Sequence, residues 1–201
     1  MLSPEQGKQL VKFAREVLEA YFNGSESVPP ENLKNILDEK RGVFVTLNKF
    51  PSHELRGCIG YPEPVMPLSD AITDSAISAA IRDPRFPHVK KDELKNLIVE
   101  VSVLTKPELI KVSDPIEYLE KIKVGRDGLI VESSFFKGLL LPQVPVEWNW
   151  NETEFLSQTC RKAGLPKEAW LNKKTKVYKF TGQVFSETTP CGEVVEKELS
   201  E

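Results

Sequence analysis

The chain predicts an α+β protein of two unequal subdomains, each a mostly antiparallel sheet with helices. Three observations carry that expectation. Apolar residues recur at helical spacing over residues 10–22, directly after a set of helix-start signals. Two-residue alternation marks strands, most strongly over Leu97–Leu104. An Asp127-Gly128 pair of the hairpin type leads into a later group of strands.

Ser3-Pro4-Glu5-Gln6 opens the first helix: Ser3 caps, Pro4 takes the first helical position and Gln6 reaches back. Leu10, Val11, Ala14, Val17, Leu18, Tyr21 and Phe22 form its packing stripe, and Asn23-Gly24-Ser25 stops it. Pro29-Pro30 opens a shorter helix through Leu37. Val43–Leu47 reads as a strand, and residues 48–54 turn into a second strand beginning at Leu55. Pro62, Pro64 and Pro67 make a stiff connector to a helix over Leu68–Ile81. Ala71, Ile72, Ser75, Ala76, Ala79 and Ala80 give that helix a low-profile face suited to close approach on a sheet. Its Asp70 and Asp74 are read as the acidic residues of the first turns. Asp92–Asn96 is a short helical turn before the Leu97–Leu104 strand.

Residues 107–112 read as a strand edge, and near Ser113-Asp114-Pro115 the chain enters the smaller subdomain. Ile116–Lys121 is a short helix, and Leu129–Glu132 pairs with Phe135–Leu141. Asn151 caps a helix running to Ala163, which Gly164 and Pro166 end; Cys160 falls on its apolar stripe and belongs to the core. Lys176–Phe185 alternates as one strand returning to the large subdomain. From Thr188 onward the chain reads as a polar, acidic tail holding Cys191. The large subdomain therefore takes residues 1–113 and 173–201, and the small one residues 114–172.

Composition narrows the function classes. At 201 residues, 40% hydrophobic and 28% charged, the chain builds a core without disulfides. A net charge of −3 gives no global attraction to nucleic acid or to an anionic membrane. The three cysteines have no metal-binding or oxidoreductase spacing, and so sparse and odd a count fits a reducing cytoplasm. The first residues lack the basic and apolar regions of a signal peptide, and no apolar run reaches the ~18 residues of a membrane helix. The expected location is cytoplasmic, with no membrane association and no metal. The glycines of Val124–Leu129 fit neither nucleotide fingerprint, so no cofactor is expected.

The greatest chemical potential lies in Leu55-Arg56-Gly57-Cys58-Ile59-Gly60. As a regular strand it places Leu55 and Ile59 on one face and Arg56 and Cys58 on the other. A guanidinium beside a thiol favours thiolate. Gly57 and Gly60 allow close approach of a ligand or of another backbone. The competing reading is a buried structural cysteine. Glu100 and Ser102 interrupt an otherwise apolar strand, so Glu100 needs a partner or a wet surface, and Arg56 is the economical partner if the strands are neighbours. Arg82 and Arg85, in a loop stiffened by Pro84 and Pro87, either bind a carboxylate or phosphate or are tied to Asp83 and helix-end carbonyls. Pro142–Trp148 offers Gln143 for hydrogen bonding, Glu147 as acid or base and Trp148 for stacking; alternatively it is a turn whose tryptophan seals a small core. His53 and His88 are given no role. Lys173-Lys174-Thr175-Lys176 is able to touch phosphate, but without interleaved aromatics it is read as a solvated edge.

Leu55–Gly60 also resembles the hallmark of the AMMECR-type domain family. The resemblance continues in order through Arg82–Phe86, Glu100–Leu104, Leu140–Val144, Glu147-Trp148, Cys160–Leu165 and Trp170, over roughly residues 40–187. It implies two unequal subdomains with the Arg56–Cys58 motif near a cleft between them. It brings no settled activity. It implies a Memo-like or radical-SAM protein as a candidate partner and leaves a nucleic-acid role open. The first functional expectation is an enzyme acting through Cys58 on a small polar substrate or nucleobase. There Cys58 serves as nucleophile or redox thiol, Arg56 stabilises it, and Glu100 or Glu147 shuttles protons, with Gly57, Gly60, Arg85, Ser102, Gln143 and Trp148 lining the site. The alternative is a non-catalytic binding module or adaptor for a protein or nucleic acid.

Overall fold

The computed structural model describes residues 1–197, which form two compact units. The first takes residues 1–104 and the chain from Gln183; the second is Thr105–Gly182.

Helix α1, Pro4–Asn23, starts with a reciprocal cap. Gln6 N donates to Ser3 Oγ at 3.2 Å, and Ser3 N donates to Gln6 Oε1 at 2.7 Å. Gly24, at φ 69°, closes it in the left-handed conformation that costs glycine least. A short 3-10 turn leads into α2, Lys34–Leu37. Strands β1, Val43–Lys49, and β2, Leu55–Tyr61, follow as an antiparallel pair. Helix α3, Leu68–Ile81, and a 3-10 turn over Lys91–Asn96 precede β3, Leu97–Leu104. β1 lies inside the sheet and pairs antiparallel with both β2 and β3. Val43, Val45, Leu47, Val99, Val101 and Val103 all point to the face covered by α1 and α3, and are buried there.

In the second unit, β4 (Glu108–Leu109) is followed by α4 (Tyr118–Lys121), β5 (Gly128–Ser133), β6 (Phe136–Leu140), α5 (Gln143–Glu147), α6 (Glu152–Lys162) and β7 (Lys176–Phe180). The sheet order is β4-β7-β5-β6, antiparallel throughout. Leu129, Val131 and Val177 from the sheet join Phe155, Leu156 and Cys160 of α6 in one core. Asn151 caps α6 by accepting from Glu154 N at 2.9 Å. The chain then returns to the first unit as β8, Gly182–Glu187, and β9, Val194–Lys197, completing the order β2-β1-β3-β8-β9.

Three differences from the sequence reading are structural findings. The alternating run 176–185 is two strands in two different sheets, because alternation reports exposure and says nothing of which sheet a strand joins. The change comes at Thr181, whose N–H donates to Thr105 Oγ1 at 2.9 Å while Thr105 N donates to its carbonyl at 2.8 Å. Residues 105–113 and 173–182, grouped with the large subdomain from sequence, thus belong to the unit of the four-stranded sheet. The polar tail supplies β9, with Val194 buried; residues 198–201 of that tail lie outside the described residues.

Buried polar pairs tie the first unit together. Arg15 on α1 binds both Glu187 carboxylate oxygens and the carbonyls of Leu94 and Leu97. Glu187 also accepts from Val99 N at 2.9 Å. Each charge is satisfied, as a buried ion requires.

Candidate functional site

The β1 register builds a row of side chains on the sheet face opposite α1 and α3. Thr46 stands opposite Cys58 on one side and opposite Glu100 on the other. Thr46 Oγ1 donates to Cys58 Sγ at 3.2 Å. In the next row Phe44 lies between Gly60 and Ser102. β9 adds Lys197, whose Nζ is 2.6 Å from Glu100 Oε2. Cys58, Thr46, Glu100 and Ser102 are all half-buried.

Arg56 is not in this row. The register slips between Leu47 and Asn48, so Leu47 faces Gly57 while Asn48 faces Leu55. Arg56 is the extra, bulged residue, and the bulge re-aims its side chain. Its Nε binds Glu93 Oε2 at 3.0 Å and its Nη1 donates to the Pro87 carbonyl at 2.8 Å, leaving the residue 6% exposed. The expected Arg56–Glu100 pair is therefore replaced by Arg56–Glu93 and Lys197–Glu100. The bulge also moves Leu55 onto the row's side of the strand, where it is partly exposed.

The cation near Cys58 is Arg85. β2 is the sheet's edge strand, so the Cys58 N–H and carbonyl that point away from β1 need partners. The Arg82–Phe86 loop supplies them. Asp83 Oδ2 accepts from Cys58 N at 2.9 Å, and Arg85 Nη2 donates to the Cys58 carbonyl at 3.2 Å. Asp83 in turn binds Arg85 Nη2 at 2.7 Å, Arg85 Nε at 3.0 Å and Arg85 N at 3.1 Å. These hydrogen bonds, with Arg85 first among them, hold the buried Asp83 carboxyl well below the usual range. The tie to Asp83, one of the two readings open for Arg85, is the arrangement seen.

The electrostatics of Cys58 run opposite to expectation. Burial pushes its thiol up, and neighbouring Glu100 and Asp83 push the same way. The Thr46 hydrogen bond and Arg85 pull it down without reversing the sign. At neutral pH the group is therefore a thiol rather than a thiolate.

The two glycines serve backbone approach. A Cβ on Gly57 would lie 2.1 Å from the Ala79 carbonyl oxygen of α3. One on Gly60 would lie 2.2 Å from the Val43 carbonyl oxygen of β1. Asp74, read as a first-turn acid, is instead a hub bonded by Tyr61 Oη at 2.7 Å, Ser78 Oγ at 3.2 Å and Arg82 Nη1 at 3.0 Å.

The other named residues form a separate group within the second unit. Gln143 and Glu147 are exposed on α5. Trp148 is 66% exposed and stacks on Trp150, with centroids 6.1 Å apart and planes 20° from parallel. It seals no core; Trp150 is the one packed against it. Cys160 is fully buried, and its burial pushes the thiol up to about 11. Among the described residues, no cluster of three or more His, Cys, Asp or Glu side chains is arranged to hold a metal, and no helix is long and apolar enough to cross a membrane.

Sequence reasoning left out Thr46, Glu93 and Lys197. Thr46 was the findable one, since it is the polar member of the alternating Val43–Leu47 strand. Glu93 and Lys197 carried no local signal, because each reaches its partner only through the fold.

The chain is similar to other proteins along almost its whole length. Protein MJ0810 of Methanocaldococcus jannaschii is 54% identical over 199 residues, covering 99% of this chain and 98% of that protein. The crystal structure of uncharacterized protein PH0010 from Pyrococcus horikoshii superposes with a TM-score of 0.80 at 54% identity, covering 98% of both chains. The AMMECR1 family model matches residues 11–185. With its Leu-Arg-Gly-Cys-Ile-Gly strand inside a match of that length, the chain belongs to the AMMECR1 family.

Proposed function

We propose that the protein is a binding module whose recognition surface is the row Cys58–Thr46–Glu100, and that Cys58 works there as a neutral thiol. The observation that supports this reading is the setting of Cys58. Its side chain accepts from Thr46, its backbone is locked by Asp83 and Arg85, and its thiol is pushed up rather than down. A rigid, partly exposed row of thiol, hydroxyl and carboxylate suits a small polar ligand with both donors and acceptors, such as a nucleobase or an amide. The three free cysteines fit a reducing, cytoplasmic setting.

The enzyme reading keeps one specific support. Glu100 lies in the same row as Cys58, across Thr46, and influences its ionisation, so a substrate spanning the row would meet a carboxylate as well as the thiol.

Alkylation of the folded protein by iodoacetamide, resolved by peptide mass, separates the two readings. The binding reading expects Cys58 to react slowly at pH 7 and to accelerate only above the range of a free thiol. Rapid reaction of Cys58 at pH 7, with a plateau below neutrality, would favour the catalytic one. A thermal-shift screen of nucleobases, nucleosides and small amides against wild type and Thr46→Val then tests the ligand class. The expected result is a stabilising hit that Thr46→Val weakens; no hit that depends on Thr46 would remove the proposal.

A further inference from the structure

We propose that a pocket in the second unit binds a phosphate monoester, the phosphorylated end of a small molecule. The pocket encloses about 300 Å³ where the chain leaves β4 beside the start of β7, with Lys111 on one wall and Lys173, Thr175 and Lys176 on the other. Leu109 and Tyr118 supply apolar surface.

The first support is unbalanced charge. β4 and β7 pair as Glu108 with Lys179 and Leu109 with Tyr178, and Ile110 N then donates to the Val177 carbonyl at 2.9 Å. Lys111, just beyond the end of β4, and Lys176, the first residue of β7, both line the pocket. Among the described residues Lys111 and Lys173 have no ion-pair partner, and Lys176 has only Glu132 at 3.9 Å. The acids of the adjoining turn, Asp114 and Glu117, are engaged elsewhere. Glu117 accepts from the backbone of Ser113 and Asp114 and pairs with Lys121, while Asp114 caps Ile116 N.

The second support is independent of charge. Thr175 is 4% exposed, yet among the described residues its hydroxyl has no hydrogen-bond partner, and it lines this pocket. The hydroxyl of so buried a residue, with no partner among the described residues and bordering the cavity, is free to bond a ligand that enters it. Lysines and a hydroxyl around one cavity are a donor set suited to a phosphate dianion. The volume lies at the lower end of the range for small-molecule sites, and the apolar wall accommodates the organic part of the ligand.

Calorimetric titration of the full chain with inorganic phosphate, AMP and adenosine tests the assignment. Phosphate and AMP are expected to bind and adenosine not to. Lys173→Gln combined with Lys176→Gln should weaken AMP by about tenfold or more, each lost charged hydrogen bond being worth a sizeable part of that factor. Thr175→Val should weaken it less, and Thr175→Ser should restore it; circular dichroism and melting confirm that each variant is folded. Adenosine binding as tightly as AMP, unchanged AMP affinity in the double-lysine variant, or equal displacement of AMP by an oligonucleotide without terminal phosphates would each overturn the proposal.

Discussion

Arg85, rather than Arg56, is the guanidinium at Cys58: its Nη2 donates to the Cys58 carbonyl at 3.2 Å while Asp83 takes the Cys58 N–H at 2.9 Å. The two loop side chains close the open edge of β2 and fix where the sulfur stands. That edge strand would otherwise present unpaired backbone to any passing chain.

Asp83→Ala removes the acceptor for the Cys58 N–H and for Arg85. The expected loss is about 1–3 kcal/mol, set mainly by the backbone donor left without a partner. The wild-type carboxyl titrates lower in the fold than in the unfolded chain. Its contribution is therefore present above the unfolded carboxylate range and is lost as pH falls through the folded value. Urea unfolding at pH 7 and pH 3 should show a larger difference between wild type and variant at pH 7. An equal difference at both would contradict the carboxylate's role.

Removing the hydroxyl that donates to Cys58 should raise the thiol further. Wild-type Cys58 is expected to alkylate with a midpoint above that of a free thiol, about 8.5, and Thr46→Val to move the midpoint higher, because the Thr46 bond lowers it. Cys160, sealed in the second core and raised to about 11, should react far more slowly. A downward shift in Thr46→Val would reverse the assigned sign.

Arg15 and Glu187 are both buried, and each also bonds the backbone of β3 or the turn before it. Glu187→Ala or Arg15→Met alone should cost about 3–5 kcal/mol, since each strands the opposite charge. The paired variant Arg15→Met with Glu187→Ala should cost less than the sum. Additive losses in denaturant melts would show that the two side chains act separately.

Gly57→Ala places a methyl 2.1 Å from the Ala79 carbonyl oxygen, a backbone atom that no rotamer change can move aside. α3 must shift off β2, at a cost of about 1–3 kcal/mol by analogy with overpacked cores. A fully stable variant in urea melts would show that α3 and β2 do not need this close backbone approach.

Legibility followed the range of the interaction. The Ser3–Gln6 cap, the Leu68–Ile81 helix and the faces of Leu97–Leu104 were readable because each is decided within a few residues. The Arg56 face was misread for a local reason that lies outside the strand itself: a bulge is a mismatch of two strands, and one strand's alternation holds no record of it. The Asp83–Arg85 pair sat in plain view as a sequence neighbour, but its binding to Cys58 required the loop to fold back onto β2.

By itself the sequence determined the α+β class, the long helices α1, α3 and α6, the faces of β1 and β3 and the short stretch around Cys58, because hydrophobic period and capping chemistry act locally. The tertiary structure alone decided that Thr46 and Glu100 share a row with Cys58, that Arg56 is occupied by Glu93, that residues 176–187 serve two sheets, and that the thiol is raised. Register, edge position and burial are properties of pairs of segments, and desolvation of a sulfur depends on everything that surrounds it.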